Sequence, residues 1–335
     1  MDLFNAIPVN GVLVAILGHG LIGISLLWDK VLLGRRQATD LVSYVFWLGA
    51  ISIFGLALLP FGFKWPKLSI AAIAFGAGVL DLVAAYFYYA ALKAGEASEE
   101  LAVMGGFAPL ATALFSVPLL KQPIGGQSTG FILLTLGGFV MFFAEKSPKK
   151  KMLPRVLIAS TAFGLVDVLQ KIAFNNSNFV TGYVLFTMGT FAGSLALLIP
   201  PSWRKRVFER SKEAPPKRKV SYMVNRFLAG LGSFLVVFAI SRAKPAIIEA
   251  ISGVRYVIIF IGALAITSIR PDWLKENFSG RVLAAKLAAT GLIVYGLAIV
   301  GLRSGSGGTG AGIRPASGAS PAIVFRGPPI RTSTE

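Results

Sequence analysis

The chain contains no cysteine and a single histidine, His19. Disulfides, thiolate chemistry and structural zinc are thereby excluded, and one imidazole leaves a metal without a second ring ligand. Charge is scarce as well. Asp, Glu, Lys and Arg make up 14% of the 335 residues, where soluble domains carry about 25%. The charge that exists leans to one sign, with 33 Lys and Arg against 15 Asp and Glu. No Gly-x-x-x-x-Gly-Lys-Ser/Thr string occurs, which argues against ATP-driven pumping by this chain itself. An intramembrane serine protease would need Ser233 of Gly232-Ser233 to find His19 as its base, and that lone pairing is thin support for catalysis. No catalytic constellation, metal site or cofactor motif is legible.

What fills the chain is apolar residue, 55% of the total. About 20 consecutive apolar residues cross the hydrocarbon of a bilayer as a helix. Ten such stretches are read, near 11–33, 41–61, 68–92, 99–120, 124–144, 153–174, 179–200, 220–242, 246–268 and 281–302. Without water to satisfy the backbone, runs this long must be helices, since barrel strands would be about 10 residues with alternation. The predicted fold class is all-α: a polytopic, multi-pass integral membrane protein of about ten transmembrane helices. Met1–Asn10 carries no Lys or Arg and the first apolar run is too long for a signal-peptide core, so this stretch is expected to stay in the mature chain. Residues 303–335, with Ser-Gly-Ser-Gly-Gly-Thr-Gly at 304–310, read as a disordered Gly/Ser/Pro tail.

In a soluble protein this basic balance would suggest nucleic acid; here the cations sit in short loops and read as topology signals. Twenty Lys and Arg flank the loops after odd-numbered helices and nine lie on the other side. That bias places the odd loops in the cytoplasm and both termini outside. The densest runs, Lys146–Arg155 and the loop 201–219, would also attract anionic lipid head groups.

Internal duplication is visible in outline. Gly23 and Lys30 in the first helix match Gly164 and Lys171 in the sixth, each a Gly with a Lys seven residues later. At a spacing of 149, Tyr89-Ala90-Ala91-Leu92-Lys93-Ala94 faces Phe238-Ala239-Ile240-Ser241-Arg242-Ala243, and Glu100 faces Glu249. The alternative is that helices rich in small residues resemble one another by composition. If the unit is real it holds five helices, an odd number, so the second copy lies inverted, as in many secondary transporters. The organisation predicted is 1–145 and 153–302 as two five-helix repeats, 146–152 as a basic linker, and the tail.

Trp28-Asp29-Lys30, Ser43-Tyr44-Val45-Phe46-Trp47, the string from Phe87 to Ser98, Gly105-Gly106-Phe107-Ala108-Pro109-Leu110 and Ala250–Val257 together resemble the EamA-like group of the drug/metabolite transporter superfamily, over residues 11–302. The resemblance implies a substrate path between the halves, lined mainly by helices one, three and four and their counterparts, with both termini cytoplasmic. That orientation opposes the charge bias. The chain departs from the family pattern at Lys121-Gln122-Pro123, where Glu or Arg is usual, and in its long tail.

Ionisable groups at mid-depth point to function, because a lone charge at the bilayer centre costs at least ~2.5–3.5 kcal/mol. Asp81, in the middle of helix three, has no basic residue within a turn; it is either a proton or cation site that titrates during transport or a hydrogen-bonded structural carboxyl. Arg255, near Ser252 and Tyr256 with Glu249 towards the helix start, either holds an anionic substrate group or forms a fixed ion pair with Asp81, Asp167 or Glu249. Asp167, Lys171 and the Asp29-Lys30 pair lie off-centre, where interface anchoring explains them cheaply. Glu100 belongs to an acidic cluster, Glu96, Glu99 and Glu100, that suits a helix N-terminus. Gly105, Gly106 and Pro109 predict a kink with a freed carbonyl at Gly105, and Tyr86 and Tyr89 line a cavity or pack at the interface. Gly76, Gly78, Gly137 and Gly138 are read as close helix contacts. The function expected is a secondary transporter that moves a small metabolite by alternating access, proton-coupled or as an exchanger, in the plasma membrane of a prokaryote. A membrane scaffold or lipid-handling enzyme is the alternative.

Overall fold

The computed structural model describes residues 10–34, 40–94, 97–122, 128–143, 152–213, 215–271, 273 and 279–305. Of the predicted linker 146–152 and tail 303–335, residues 146–151 and 306–335 lie outside these residues, while Met152 opens α6 and 303–305 close α12. Among the described residues the secondary structure is helical, in the order α1 Gly11–Gly34, α2 Leu41–Ile51, a 3-10 helix Ser52–Phe61, α3 Leu68–Ala94, α4 Ala97–Leu120, α5 Ser128–Phe143, α6 Met152–Asn175, α7 Phe179–Ala196, α8 Pro201–Glu213, α9 Pro216–Arg242, α10 Pro245–Ala250, α11 Gly253–Ile269 and α12 Gly280–Gly305. Among the described residues eight segments are long and apolar enough to cross a bilayer, with α2 and the 3-10 helix counted together and likewise α10 and α11. The protein is a polytopic all-α membrane protein.

Local chemistry sets several of the helix starts. Asp40 accepts from the Ser43 N–H at 3.0 Å and caps α2; Asn178 accepts from Thr181 N–H at 2.7 Å and caps α7. Proline opens α8, α9 and α10, where a missing N–H costs nothing. Gly62 ends the 3-10 helix at φ 119°, a backbone shape that side chains resist.

Three expectations need correction. The basic segment 201–219 is not a loop: residues 201–213 form α8, which buries Val207 against Val42 and Phe46 of α2 while Arg204, Lys205 and Arg206 face outward. The stretch 246–268 is not one helix but α10 and α11, divided at Ile251–Ser252. The third concerns the tail, whose first residues, 303–305, continue α12; α4 runs as one helix through Pro109, which takes away the backbone donor that Gly105 O would otherwise meet. Of the small-residue contacts, Gly78 and Gly137 are close approaches, whereas a Cβ on Gly76 would meet nothing within 4 Å. Gly138 lies outside the residues whose side-chain surroundings are described.

Packing exchanges partners between the halves. Helix α1 lies along α9 and α11, while α6 lies along α3 and α4; α5 packs on α12. The matched glycines sit in these seams: a Cβ on Gly23 would stand 3.1 Å from Arg255 Cα in α11, and one on Gly164 would stand 2.7 Å from Thr112 N in α4.

Candidate functional site

Two buried polar clusters lie between the halves. The first centres on Asp29, which α1 carries into complete burial among apolar neighbours. Tyr44 of α2, Tyr89 of α3, and Asn225 and Arg226 of α9 all donate to its carboxylate, Tyr89 at 3.0 Å. Arg226 is 5% exposed, donates a second bond to the Tyr89 hydroxyl at 3.0 Å, and stands over the rings of Tyr44, Tyr89 and Tyr222 at 5.4, 5.8 and 5.4 Å. Tyr222 in turn donates to Tyr44 O at 2.9 Å. An ion pair sealed in this way, with aromatic faces on the cation, ties α1, α2 and α3 to α9. The interface-anchor reading of Asp29 therefore fails, because an anchor would reach water and this carboxylate reaches none.

Lys30, its neighbour, donates to Leu92 O near the end of α3 at 2.7 Å. Lys171, the matched residue of α6, donates to Ile240 O and Ser241 O near the end of α9, each at 3.0 Å. Leu92 and Ser241 are themselves a pair at the 149-residue spacing. Each lysine thus places its cation near the negative C-terminal end of a long helix, α3 for Lys30 and α9 for Lys171. Neither needs to snorkel. Lys171→Met, which leaves those carbonyls without their charged donor, is expected to cost about 1.5–3 kcal/mol, measured as a fall in the melting temperature of the solubilised protein.

The second cluster lies deeper and joins α1, α3, α4, α6, α10 and α11. Arg255 donates from Nε to His19 Nδ1 at 2.9 Å and from its terminal nitrogen to Glu249 at 3.2 Å. Because guanidinium only donates, Nδ1 must accept, which leaves the Nε2 proton of His19 for Ile248 O at 2.9 Å. Of the partners anticipated for Arg255, Glu249 is the one in contact. Asp167 accepts from the Thr112 hydroxyl at 3.4 Å and lies within electrostatic reach of Glu249, Arg255 and Asp81. Asp81 sits half-buried on α3 without a hydrogen bond or ion pair among the described residues, and in electrostatic reach of Tyr183. Glu249 and Asp167 therefore share one guanidinium, and Asp81 lies in electrostatic reach of Asp167.

The remaining candidates scatter. Tyr86 stacks on Trp203 of α8 with centroids 6.4 Å apart, away from both clusters. Ser252 is fully buried at the α10–α11 junction, and Gly105, Gly106 and Pro109 are buried in α4. The side chains of Glu100 and Tyr256 lie outside the described residues. Sequence reasoning passed over Tyr44, Tyr222, Asn225, Arg226 and the ligand-like use of His19. Arg226 had a signal, being a cation well inside an apolar run.

Comparison with known proteins bears on this arrangement. Residues 9–144 match the model of the EamA-like transporter family. Over 140 residues, 39% of this chain, the sequence is 27% identical to "Uncharacterized transporter YcxC" of Bacillus subtilis (strain 168). The match spans 42% of that curated relative, less than half its length. A solved structure described as "Crystal structure of protein" superposes with a TM-score of 0.55 at 17% identity, over 85% of this chain and 97% of its own, a likeness of fold alone.

Proposed function

We infer, from the premise that residues 9–144 are an EamA-like transporter domain, that this integral membrane protein is a secondary transporter moving a small metabolite by alternating access. The observation that carries the reading is the carboxylate surplus of the deeper cluster: Glu249 pairs with Arg255, Asp167 lies in electrostatic reach of both, and Asp81 in reach of Asp167, where α1, α3 and α4 meet α6, α10 and α11. Uncompensated charge at that depth is expensive, so a proton or cation taken up there during the cycle lowers its energy. Asp81, with no bonded partner, is the carrier in this reading. The exchanged packing of α1 with α9 and α11, and of α6 with α3 and α4, supports two inverted five-helix repeats that rock about the cluster. The Asp29–Arg226 pair would close one side, because parting α9 from α1–α3 means breaking it.

The test is uptake by purified protein in liposomes, with pooled metabolites and an imposed proton gradient. Wild type is expected to accumulate substrate only with the gradient, and Asp81→Asn to abolish that accumulation while retaining gradient-independent exchange. If Asp81→Asn still concentrates substrate, the carboxyl is not the carrier. If folded wild type moves nothing from any pool, the scaffold or enzyme alternative replaces transport.

A further inference from the structure

A cavity of about 440 Å³ opens where α2 begins, α3 ends and α6 begins, lined by Leu41, Tyr86, Phe87, Ala90, Lys93, Ala94 and Arg155. We propose that it binds the head group of an anionic phospholipid, with Arg155 and Lys93 on the phosphate and the aromatic and aliphatic walls on the glycerol and upper acyl chain. This site is separate from the transport path and does not depend on it.

Six observations converge. The cavity stands at the depth of a head group, because the apolar spans Leu41–Phe61, Leu68–Ala94 and Met152–Asn175 all terminate at it. Its lining is amphiphilic, with two cations beside Leu41, Phe87 and the Tyr86 ring, and no carboxylate lines it among the described residues. Arg155 gives one bond, from a terminal nitrogen to Ala90 O at 3.0 Å, so most of its donor fork remains for a phosphate. The bond to Ala90 and that of Lys30 to Leu92 O also occupy the carbonyls at the end of α3, which would otherwise repel an anion. The wall is held in place, since Tyr86 stacks on Trp203 of α8. Basic pockets between spanning helices bind anionic head groups for these reasons, and this is the end of the molecule where most of the loop cations lie.

The experiment is native mass spectrometry of protein released from bilayers of phosphatidylglycerol and phosphatidylcholine in equal amounts. Wild type should retain one phosphatidylglycerol in preference to phosphatidylcholine. Arg155→Gln and Lys93→Gln should each reduce that retention about fivefold, the worth of one cation beside an anionic lipid. Ala94→Trp keeps both cations and should block the cavity by bulk, which guards against loss of fold as the explanation. Arg204→Gln with Lys205→Gln, on the exposed face of α8, should leave retention unchanged. Retention without head-group preference, equal retention by the cavity variants, or an equal fall in the α8 variant would overturn the proposal. Complete displacement by soluble glycerol phosphate would also overturn it, assigning the cavity to a soluble anion.

Discussion

Asp29→Ala is expected to destabilise the protein by about 3–5 kcal/mol, the usual cost of stranding one member of a buried ion pair. The carboxylate receives Tyr44, Tyr89, Asn225 and Arg226 together, in a place with no exposed surface. Without it Arg226 keeps only the Tyr89 hydroxyl and the ring faces, which do not neutralise a guanidinium. Arg226→Leu should cost a similar amount by stranding the carboxylate. The double variant Asp29→Ala/Arg226→Leu should recover more than half of the summed loss, because the desolvation cost of both charges disappears with them. Thermal melting of the four solubilised proteins reads the cycle. Single variants that melt with wild type would show that the pair contributes nothing to holding α9 against α1–α3.

The second large effect distinguishes two glycines of α3 that have a single residue between them, Gly76 and Gly78. A Cβ on Gly78 would stand 1.9 Å from Phe186 O and 2.7 Å from Thr190 N, and the facing Gly189 meets Phe75 O at 1.9 Å. These are backbone atoms of packed helices, so neither can rotate away. Gly78→Ala must push α3 from α7 along their whole contact, at an expected cost of about 3 kcal/mol or more. Gly76→Ala meets nothing within 4 Å and relieves a glycine in mid-helix, for an expected gain of about 0.5–1 kcal/mol. Yield of monodisperse protein and melting temperature should move in opposite directions for the two variants. Equal behaviour would mean that the α3–α7 seam is looser than its geometry.

The contrast shows where reading a membrane sequence stops. Apolar length locates helices because the solvent demands it, and so the spans were legible. It does not say which face of a helix meets which neighbour. Gly76 and Gly78 look alike in sequence and differ only in what stands opposite. Asp29 and Arg226 lie 197 residues apart, and the register that joins them belongs to the antiparallel packing of α1 on α9. Lys30 and Lys171 were visible as a matched pair, but their acceptors are main-chain oxygens, which no side-chain pattern advertises. In α8 the dense charge hid the helix: Trp203 and Val207, four residues apart, supply the apolar stripe that docks it. Arg255 and Glu249 were legible together because they are near neighbours in the chain.

The break at Ile251–Ser252 has a mechanical consequence. The helix that the proposed repeat would set against it, α4, runs as one helix from Ala97 to Leu120, so in that reading one half owns a joint and the other a strut. A cycle in which the halves trade shapes would then not be mirror-symmetric. The two end states would store bending energy unequally, so one of them would be the more populated at rest.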